Sequence, residues 1–329
     1  RSARAHVLSL TSEIGPSPRR RKAYVVVDLH LHTACSDGRE APEIVVYRAS
    51  QAGLSAIAVT DHDTVDGSIR AVAAAPDHMV VLSGIELSAA EGESAIHVLG
   101  YGIDPFDDAL RVLLESMKRD RYVRAGEIVN RLHAMDVPLT LESVEHVAAG
   151  SPITRAHVAE ALRREQMVAT YTEAFERYLS DAQPAFVLQE SLSASEAIAA
   201  IHRAGGVAFM AHPGVTRRDE IIPSLVKAGL DGIEVYHPNH ESAAERFYLN
   251  LAEKHGILVS GGSDYHASFR GTDRMGTPYV PREVFDRIME AIDLRAGTRG
   301  SGDEEDSDDG SLIGPPPGAR AEAPGPQSG

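Results

Sequence analysis

Seven short, almost continuously apolar runs rich in Val and Ile recur along the chain, with helix-patterned stretches between most of them. The runs fall at residues 24–28, 56–60, 79–83, 96–101, 207–211, 232–236 and 257–261. Apolar residues at nearly every position mark strands covered on both faces, the habit of parallel sheets. Helical periodicity falls at 41–52, 193–203, 220–228, 242–255 and 282–295. The alternation predicts a parallel α/β fold. Seven strand signals point to a barrel with one unit missing or distorted rather than to an open sheet.

The alternation stops between residues 104 and 186, where the pattern is helical. Leu110, Leu113, Leu114 and Met117, then Ile128, Val129 and Leu132, fit one long helix over 107–135. Further helices are predicted at 141–148, 155–165 and 172–179, with Ser151-Pro152 as a break. This stretch reads as a small helical domain inserted between two barrel strands, placed to cover the barrel mouth. The expected organisation is a flexible lead-in over 1–22, barrel parts at 23–103 and 187–295 around the insertion at 104–186, and an acidic, Pro/Gly-rich disordered tail over 296–329.

The ends of the predicted strands carry the chemistry. Asp28-Leu29-His30-Leu31-His32 follows the first run, and alternation sends His30 and His32 to one side. Asp37 stands a few residues on, after Ser36. Thr60-Asp61-His62-Asp63 closes the second run, and Gly84-Ile85-Glu86 follows the third. His97 enters the fourth, His212-Pro213 ends the fifth, and Gly262-Ser263-Asp264-Tyr265-His266 ends the last. In a barrel that end of the strands holds the active site. Imidazole and carboxylate donors are what divalent ions need. The candidate ligands are His30, His32, Asp37, His62, Glu86, His97, His212, Asp264 and His266. They are too many for one tetrahedral zinc and fit two or three ions bridged by Glu86. Asp28, Asp61 and Asp63 are expected to orient imidazoles. With no serine or cysteine nucleophile motif in view, a metal-bound hydroxide is the expected nucleophile.

The chain carries a formal net charge of −16, which argues against a generic nucleic-acid surface binder but not against an enzyme acting on nucleotides. No DNA-binding surface and no protein partner is indicated. Cys35 is the only cysteine, so no disulfide forms within the chain, and a reducing, cytoplasmic setting is expected. No run approaches the roughly 20 apolar residues needed to span a bilayer. The basic start, Arg1-Ser2-Ala3-Arg4, lacks the apolar stretch of a signal peptide, and a first residue other than Met suggests a trimmed chain.

In these motifs, from about Val27 to about Leu294, the sequence resembles the polymerase and histidinol phosphatase (PHP) family of metal-dependent phosphoesterases. The resemblance implies a distorted (β/α)7 TIM-like barrel with three metal positions. One would be held by His30, His32, Glu86 and Asp264, a second by Glu86, His97 and His212, and a third by Asp37, His62 and His266. Manganese would be the usual ion, with zinc or iron as alternatives. Asp264 and Glu86 are thereby implied in catalysis.

Ile153-Thr154-Arg155-Ala156-His157 and the insertion resemble the branch that removes the 3′-phosphate of nucleoside 3′,5′-bisphosphates, members of which also trim short RNA from the 5′ end. Aspartate rather than histidine at position 37 is similar to that branch and unlike histidinol-phosphate phosphatases. Departures are Ala156, where the family often has proline, and Gln183, near which it often has lysine. Arg155 is the first choice for binding the extra phosphate, with Arg121, Arg124 and Arg131 behind it. His237 and His240, after the sixth strand, are candidates for phosphate contact or proton donation, and Ser36 for substrate contact. The alternatives are a phosphatase for another small phosphomonoester, such as histidinol phosphate or another amino-alcohol phosphate, and a non-catalytic, metal-stabilised binding protein.

Overall fold

The structure, a computed structural model, describes residues 26–300 apart from 93, 190–191 and 268–273. The expected lead-in over 1–22 lies outside the described residues, as do Tyr24 and Val25 of the first predicted strand and the tail beyond residue 300.

The first half of the sheet alternates as expected: β1 (Val26–Leu31), α1 (Pro42–Gln51), β2 (Leu54–Val59), α2 (Asp66–Ala73), β3 (Val80–Glu91) and β4 (Ser94–Tyr101). Four helices follow, α3 (Asp108–His133), α4 (Leu141–Ala148), α5 (Arg155–Arg164) and α6 (Tyr171–Ala174), the last running into a π-helical turn over Phe175–Leu179. The second half holds α7 (Ala194–Arg203), β5 (Val207–Met210), α8 (Pro213–Thr216), α9 (Ile222–Lys227), β6 (Gly232–Tyr236), α10 (Ser242–His255), β7 (Leu258–Gly261) and α11 (Arg282–Gly300). The last helix continues past residue 295, into what reads in sequence as tail.

Local chemistry explains the boundaries. Pro42 opens α1, where its missing N–H costs nothing. Ser193 and Glu196 form a reciprocal capping box on α7, and Thr154 with His157 does the same for α5. Gly256 ends α10 at φ 63°, a left-handed cap that suits glycine.

The strands form one seven-stranded sheet in chain order. β1, β2 and β3 run parallel, as do β5, β6 and β7. The all-parallel expectation fails at β4, which is antiparallel to both β3 and β5. β3 and β4 form a long hairpin paired from Gly84–Tyr101 to Glu91–Ser94, so Glu86 lies within a strand rather than after one. The apolar run stops at Gly84 but the ladder does not, because β4 supplies hydrogen-bond partners beyond it. An isolated parallel bridge joins Leu31 of β1 to Tyr265, beyond the end of β7.

Ile85, Leu87, Val98, Met210 and Ile233 of the sheet share a core with Ile198 and Ile201 of α7 and Leu225 of α9. Val27, Leu29, Leu99, Tyr101 and Phe209 pack with Val284, Phe285 and Ile288 of α11. The helical stretch has its own core around Leu132, Val144, Val158, Leu162 and Leu179. α3 serves both: Leu110, Leu114 and Met117 join the sheet's core, while Ala125 to Leu132 join the helical one. Among the described residues no helix is long and apolar enough to cross a membrane.

Candidate metal centre

The structure brings all nine candidate ligands to one end of the sheet. Glu86 lies at the middle, fully buried and ringed by imidazoles. Its Oε2 is 3.2 Å from His30 Nε2, His32 Nε2 and His62 Nδ1, and its Oε1 is 2.9 Å from His97 Nδ1 and 3.2 Å from His212 Nε2. Asp264 Oδ1 is 3.2 Å from His32 Nε2 and 3.4 Å from His30 Nε2. Asp37 Oδ1 is 3.3 Å from His266 Nε2, and its Oδ2 is 3.9 Å from His62 Nε2.

Three sets have donor atoms within 4.8 Å of one another: His32, Asp37, His62 and His266; His30, His32 and Asp264; and His62, Glu86 and His97. They overlap the three groups implied by family resemblance, but His32 and His62 each fall in two sets, Glu86 in one rather than two, and His212 in none.

These donors fit a divalent ion better than they fit each other. His32 Nδ1 and Nε2, His62 Nδ1, His97 Nδ1, His212 Nδ1 and His237 Nε2 are buried without a hydrogen-bond partner among the described residues. Buried polar atoms are nearly always paired, so orphaned nitrogens converging on carboxylates point to a cation. The charges agree. Burial alone would raise Glu86, but His62, His30 and His97 hold its carboxyl well below the usual range. Burial likewise opposes ionisation of Asp37 and Asp264, and the imidazoles, His62 first for Asp37 and His266 first for Asp264, overcome it.

Burial depresses His62 well below its ordinary value. His266 goes the other way, since Asp264 and Asp37 overcome burial and lift it to about 10. A metal ion needs the neutral imidazole, so loading must expel that proton at any pH below about 10. Metal affinity is therefore expected to rise with pH across the neutral range. Calorimetric heats of loading should differ between buffers of different ionisation enthalpy, and identical heats would contradict the expectation.

The supporting residues differ from expectation. Asp28, Asp61 and Asp63 hydrogen-bond to no imidazole among the described residues. Asp28 accepts from Ser263 N at 2.8 Å, Ser263 Oγ at 2.5 Å and Gly276 N at 2.7 Å, tying the segment after β7 to β1, and burial raises its carboxyl to about 6. Asp61 accepts from Thr33 N, Thr33 Oγ1 and Ser36 Oγ, and so shapes the loop that carries Asp37. Ser36 borders the cleft, but its hydroxyl proton is committed to Asp61 at 2.6 Å, which argues against the substrate contact expected of it. Asp63 pairs with Arg121.

The carboxylate that does orient an imidazole is Glu234 of β6, missed in sequence. Its Oε1 accepts from His30 Nδ1 at 2.9 Å and its Oε2 from His212 N at 2.8 Å. The first bond fixes the His30 tautomer and leaves Nε2 as the ligand atom. A carboxylate in the middle of the otherwise apolar run Gly232–Tyr236 was the available signal. Glu234→Gln is expected to cut metal affinity or turnover roughly 10- to 100-fold. Metal titration alongside steady-state rates checks this, and unchanged values would remove Glu234 from the site.

Around the ligands lies a cleft of about 840 Å³, bordered by Asp37, Asp264, His266 and His237. His237 is buried, its Nδ1 accepts from Asn239 N at 3.2 Å, and its Nε2 lies 3.5 Å from Asp264 Oδ2. His240 is not available as a substrate contact: its Nδ1 donates to Val235 O at 2.8 Å and its Nε2 accepts from Gly214 N at 3.0 Å.

The arginines expected to bind phosphate are also engaged elsewhere. Arg155 does not border the cleft. Its guanidinium donates to Asp181 at 2.8 Å and to Leu179 O, and lies over the Phe186 ring. Arg124 donates to Val187 O and Gln189, and burial beside Arg155 and Arg121 lowers it to about 9. Arg131 donates to Phe186 O. Among the described residues the arginines that border the cleft are Arg39, Arg164 and Arg274, none of which sequence reasoning singled out.

The family model described as the PHP domain matches residues 28–188. A 3′,5′-nucleoside bisphosphate phosphatase of Chromobacterium violaceum is 32% identical over 280 residues, covering 82% of this chain and 98% of that protein. A 5′-3′ exoribonuclease of Haemophilus influenzae is 33% identical over 245 residues, covering 73% of this chain and 89% of that protein. Among solved structures, an amidohydrolase from Chromobacterium violaceum with bound sulfate and no metal matches with a TM-score of 0.72 and 30% identity, covering 82% of this chain and 96% of that one.

Proposed function

The chain belongs to the PHP family and is a metal-dependent phosphoester hydrolase; within that class we propose that it removes the 3′-phosphate of nucleoside 3′,5′-bisphosphates. The observation that carries the reading is the buried Glu86 carboxylate ringed by five imidazoles, beside a cleft wide enough for a nucleotide. The relative from Chromobacterium violaceum supports the substrate. The exoribonuclease relative supports 5′-to-3′ trimming of short RNA as a second activity of the same centre. The helices between β4 and β5 act in this reading as an inserted domain over residues 104–186 that borders the cleft. The single cysteine supports a reducing, cytoplasmic setting.

His30, His32, Asp37, His62, Glu86, His97, His212, Asp264 and His266 would hold the divalent ions, three in number and manganese in the first instance. Bound there, such ions would activate water and clamp phosphoryl oxygens. The chain's own residues do the rest. Asp264 and Glu86 reach donors of more than one ligand set and so fix their spacing. His237 accepts a backbone N–H at Nδ1, which places its ring proton on Nε2 beside the cleft. There it can donate a hydrogen bond to a phosphoryl oxygen; with Nδ1 accepting, the ring is neutral and serves to position the phosphate rather than to protonate the leaving oxygen.

A second reading, a phosphatase for another small phosphomonoester, is favoured by one observation: Arg155 is neutralised by Asp181, and Gln183 brings no charge. Phosphate release by the manganese-loaded protein decides between them. Adenosine 3′,5′-bisphosphate is expected to lose its 3′-phosphate, and chelation to abolish the release. Histidinol phosphate and a 5′-phosphorylated short RNA run in parallel. Turnover of histidinol phosphate with none of the bisphosphate would replace the first reading by the second.

A further inference from the structure

One of the three donor sets, His32, Asp37, His62 and His266, is tied to the helical stretch at three points. The first is His157 of α5, 7% exposed at the edge of the cleft. Its Nδ1 accepts from Thr154 N at 3.0 Å, which places the ring proton on Nε2, and the ring also hydrogen-bonds the main chain of Ser36, the residue before Asp37. The second is Glu160, one turn further along α5. It accepts from Arg39 Nη2 at 3.1 Å, and Arg39 N donates to His266 O at 3.0 Å. The third is the carbonyl of Ile153, which accepts from Arg121 Nη1 at 3.1 Å, while Arg121 Nε holds Asp63, the residue after His62. Asp37, His266 and His62 are thus each held, by a neighbour or by their own main chain, from residues 153–160. His30 and His212 take their support from Glu234 of β6 instead.

The loop that carries Asp37 is closely confined. Asp61 takes Thr33 N and the Thr33 and Ser36 hydroxyls, and a Cβ on Gly38 would stand 2.6 Å from the His32 carbonyl. The Ser36 main chain is where α5 joins this loop. We propose that His157 is a positioning residue: through Nε2 and Ser36 it sets the Asp37 carboxylate, and so builds one position of the metal centre from the inserted helices. Ligands need to be held within about 0.5 Å of their productive geometry, and bonds made by the residues around them supply that hold. The inference rests on the reading of the nine residues as a metal centre, and it makes the insertion part of that centre rather than only a wall of the cleft.

Two substitutions separate the two bonds of the ring. Asparagine puts an acceptor oxygen where Nδ1 stands and stops short of Nε2, whereas glutamine carries an N–H donor out to the place of Nε2. The metal-free whole chain is titrated with manganese, bound metal is counted by elemental analysis after desalting, and thermal melting is recorded alongside. His157→Asn is expected to keep the α5 cap and its melting temperature, to bind manganese at one position on the order of 10- to 100-fold more weakly, and to retain one ion fewer per chain. His157→Gln is expected to restore that ion. Adding Asp37→Asn to His157→Asn should release no further ion. Glu160→Ala, which removes the bond to Arg39 and leaves the cap of α5 intact, is expected to weaken the same position and carries the test if His157→Asn melts early.

The parent's metal count in both His157→Asn and Glu160→Ala would overturn the proposal. So would loss of the ion in His157→Gln with retention in His157→Asn, because that order follows the cap and not Ser36. A further ion lost on adding Asp37→Asn would place the effect at another position and overturn the link to Asp37. If the parent itself binds no manganese, the metal centre falls and the role of His157 falls with it.

Discussion

Glu86→Gln is expected to lower turnover on the order of a thousandfold and to release metal with it. The substitution keeps the shape of the side chain and removes its charge. In the native protein the two carboxylate oxygens lie within 3.2 Å of nitrogens from five imidazoles. A neutral amide offers one oxygen to ions that would share two, and turns an N–H₂ group toward nitrogens that must stay unprotonated to bind metal. Loss of several kcal/mol of transition-state stabilisation follows, at 1.36 kcal/mol per decade of rate. Elemental analysis of the variant and its rate at saturating manganese check this together, with circular dichroism as the control for folding. A variant that keeps its metal and stays within about tenfold of the parent rate would show that Glu86 does not organise the centre.

Much of this centre is legible without coordinates because most of its ligands, Glu86 and His97 within the β3–β4 hairpin excepted, sit where strands end, and strand ends are marked by the break from apolar to polar residues. The i, i+2 spacing of His30 with His32 carries the geometry directly, whereas Asp264 and His266 follow β7 in a segment where Asp264 takes a left-handed φ of 50°. Strand direction is not legible in the same way. A run such as 96–101 has the same apolar pattern whether it runs parallel or antiparallel, so the reversal at β4 leaves no trace in periodicity.

Partner choice is the other blind spot. Arg155 and Arg39 look alike in sequence. Asp181 takes the first, and the second joins Glu160, 121 positions away. His240 reads as a candidate until Val235 O and Gly214 N claim both of its ring nitrogens. Such pairings are set by packing between distant segments, and no local pattern encodes them.

Arg121 is the costliest of these non-local pairings to break. On a long helix it would be expected to face water, yet it is 3% exposed. Its Nε donates to Asp63 Oδ2 at 2.6 Å, its Nη1 to Ile153 O at 3.1 Å and its Nη2 to Ser88 Oγ at 2.7 Å. One side chain thus joins α3, the loop after β2, strand β3 and the approach to α5. Arg121→Ala would leave Asp63 buried and charged, with Ser88 N as its remaining hydrogen-bond donor.

Removing one partner of such a pair costs about 3–5 kcal/mol. That corresponds to a fall in Tm on the order of ten degrees for a chain of this size. The cost comes from the stranded carboxylate rather than from the lost attraction. The double variant Arg121→Met with Asp63→Asn should therefore lose clearly less than the two single changes added together. Calorimetric melting of the three variants measures the coupling. Strict additivity, or a loss below about 1 kcal/mol for Arg121→Ala, would mean that the helical stretch is held to the sheet by its apolar contacts and that the ion pair contributes little.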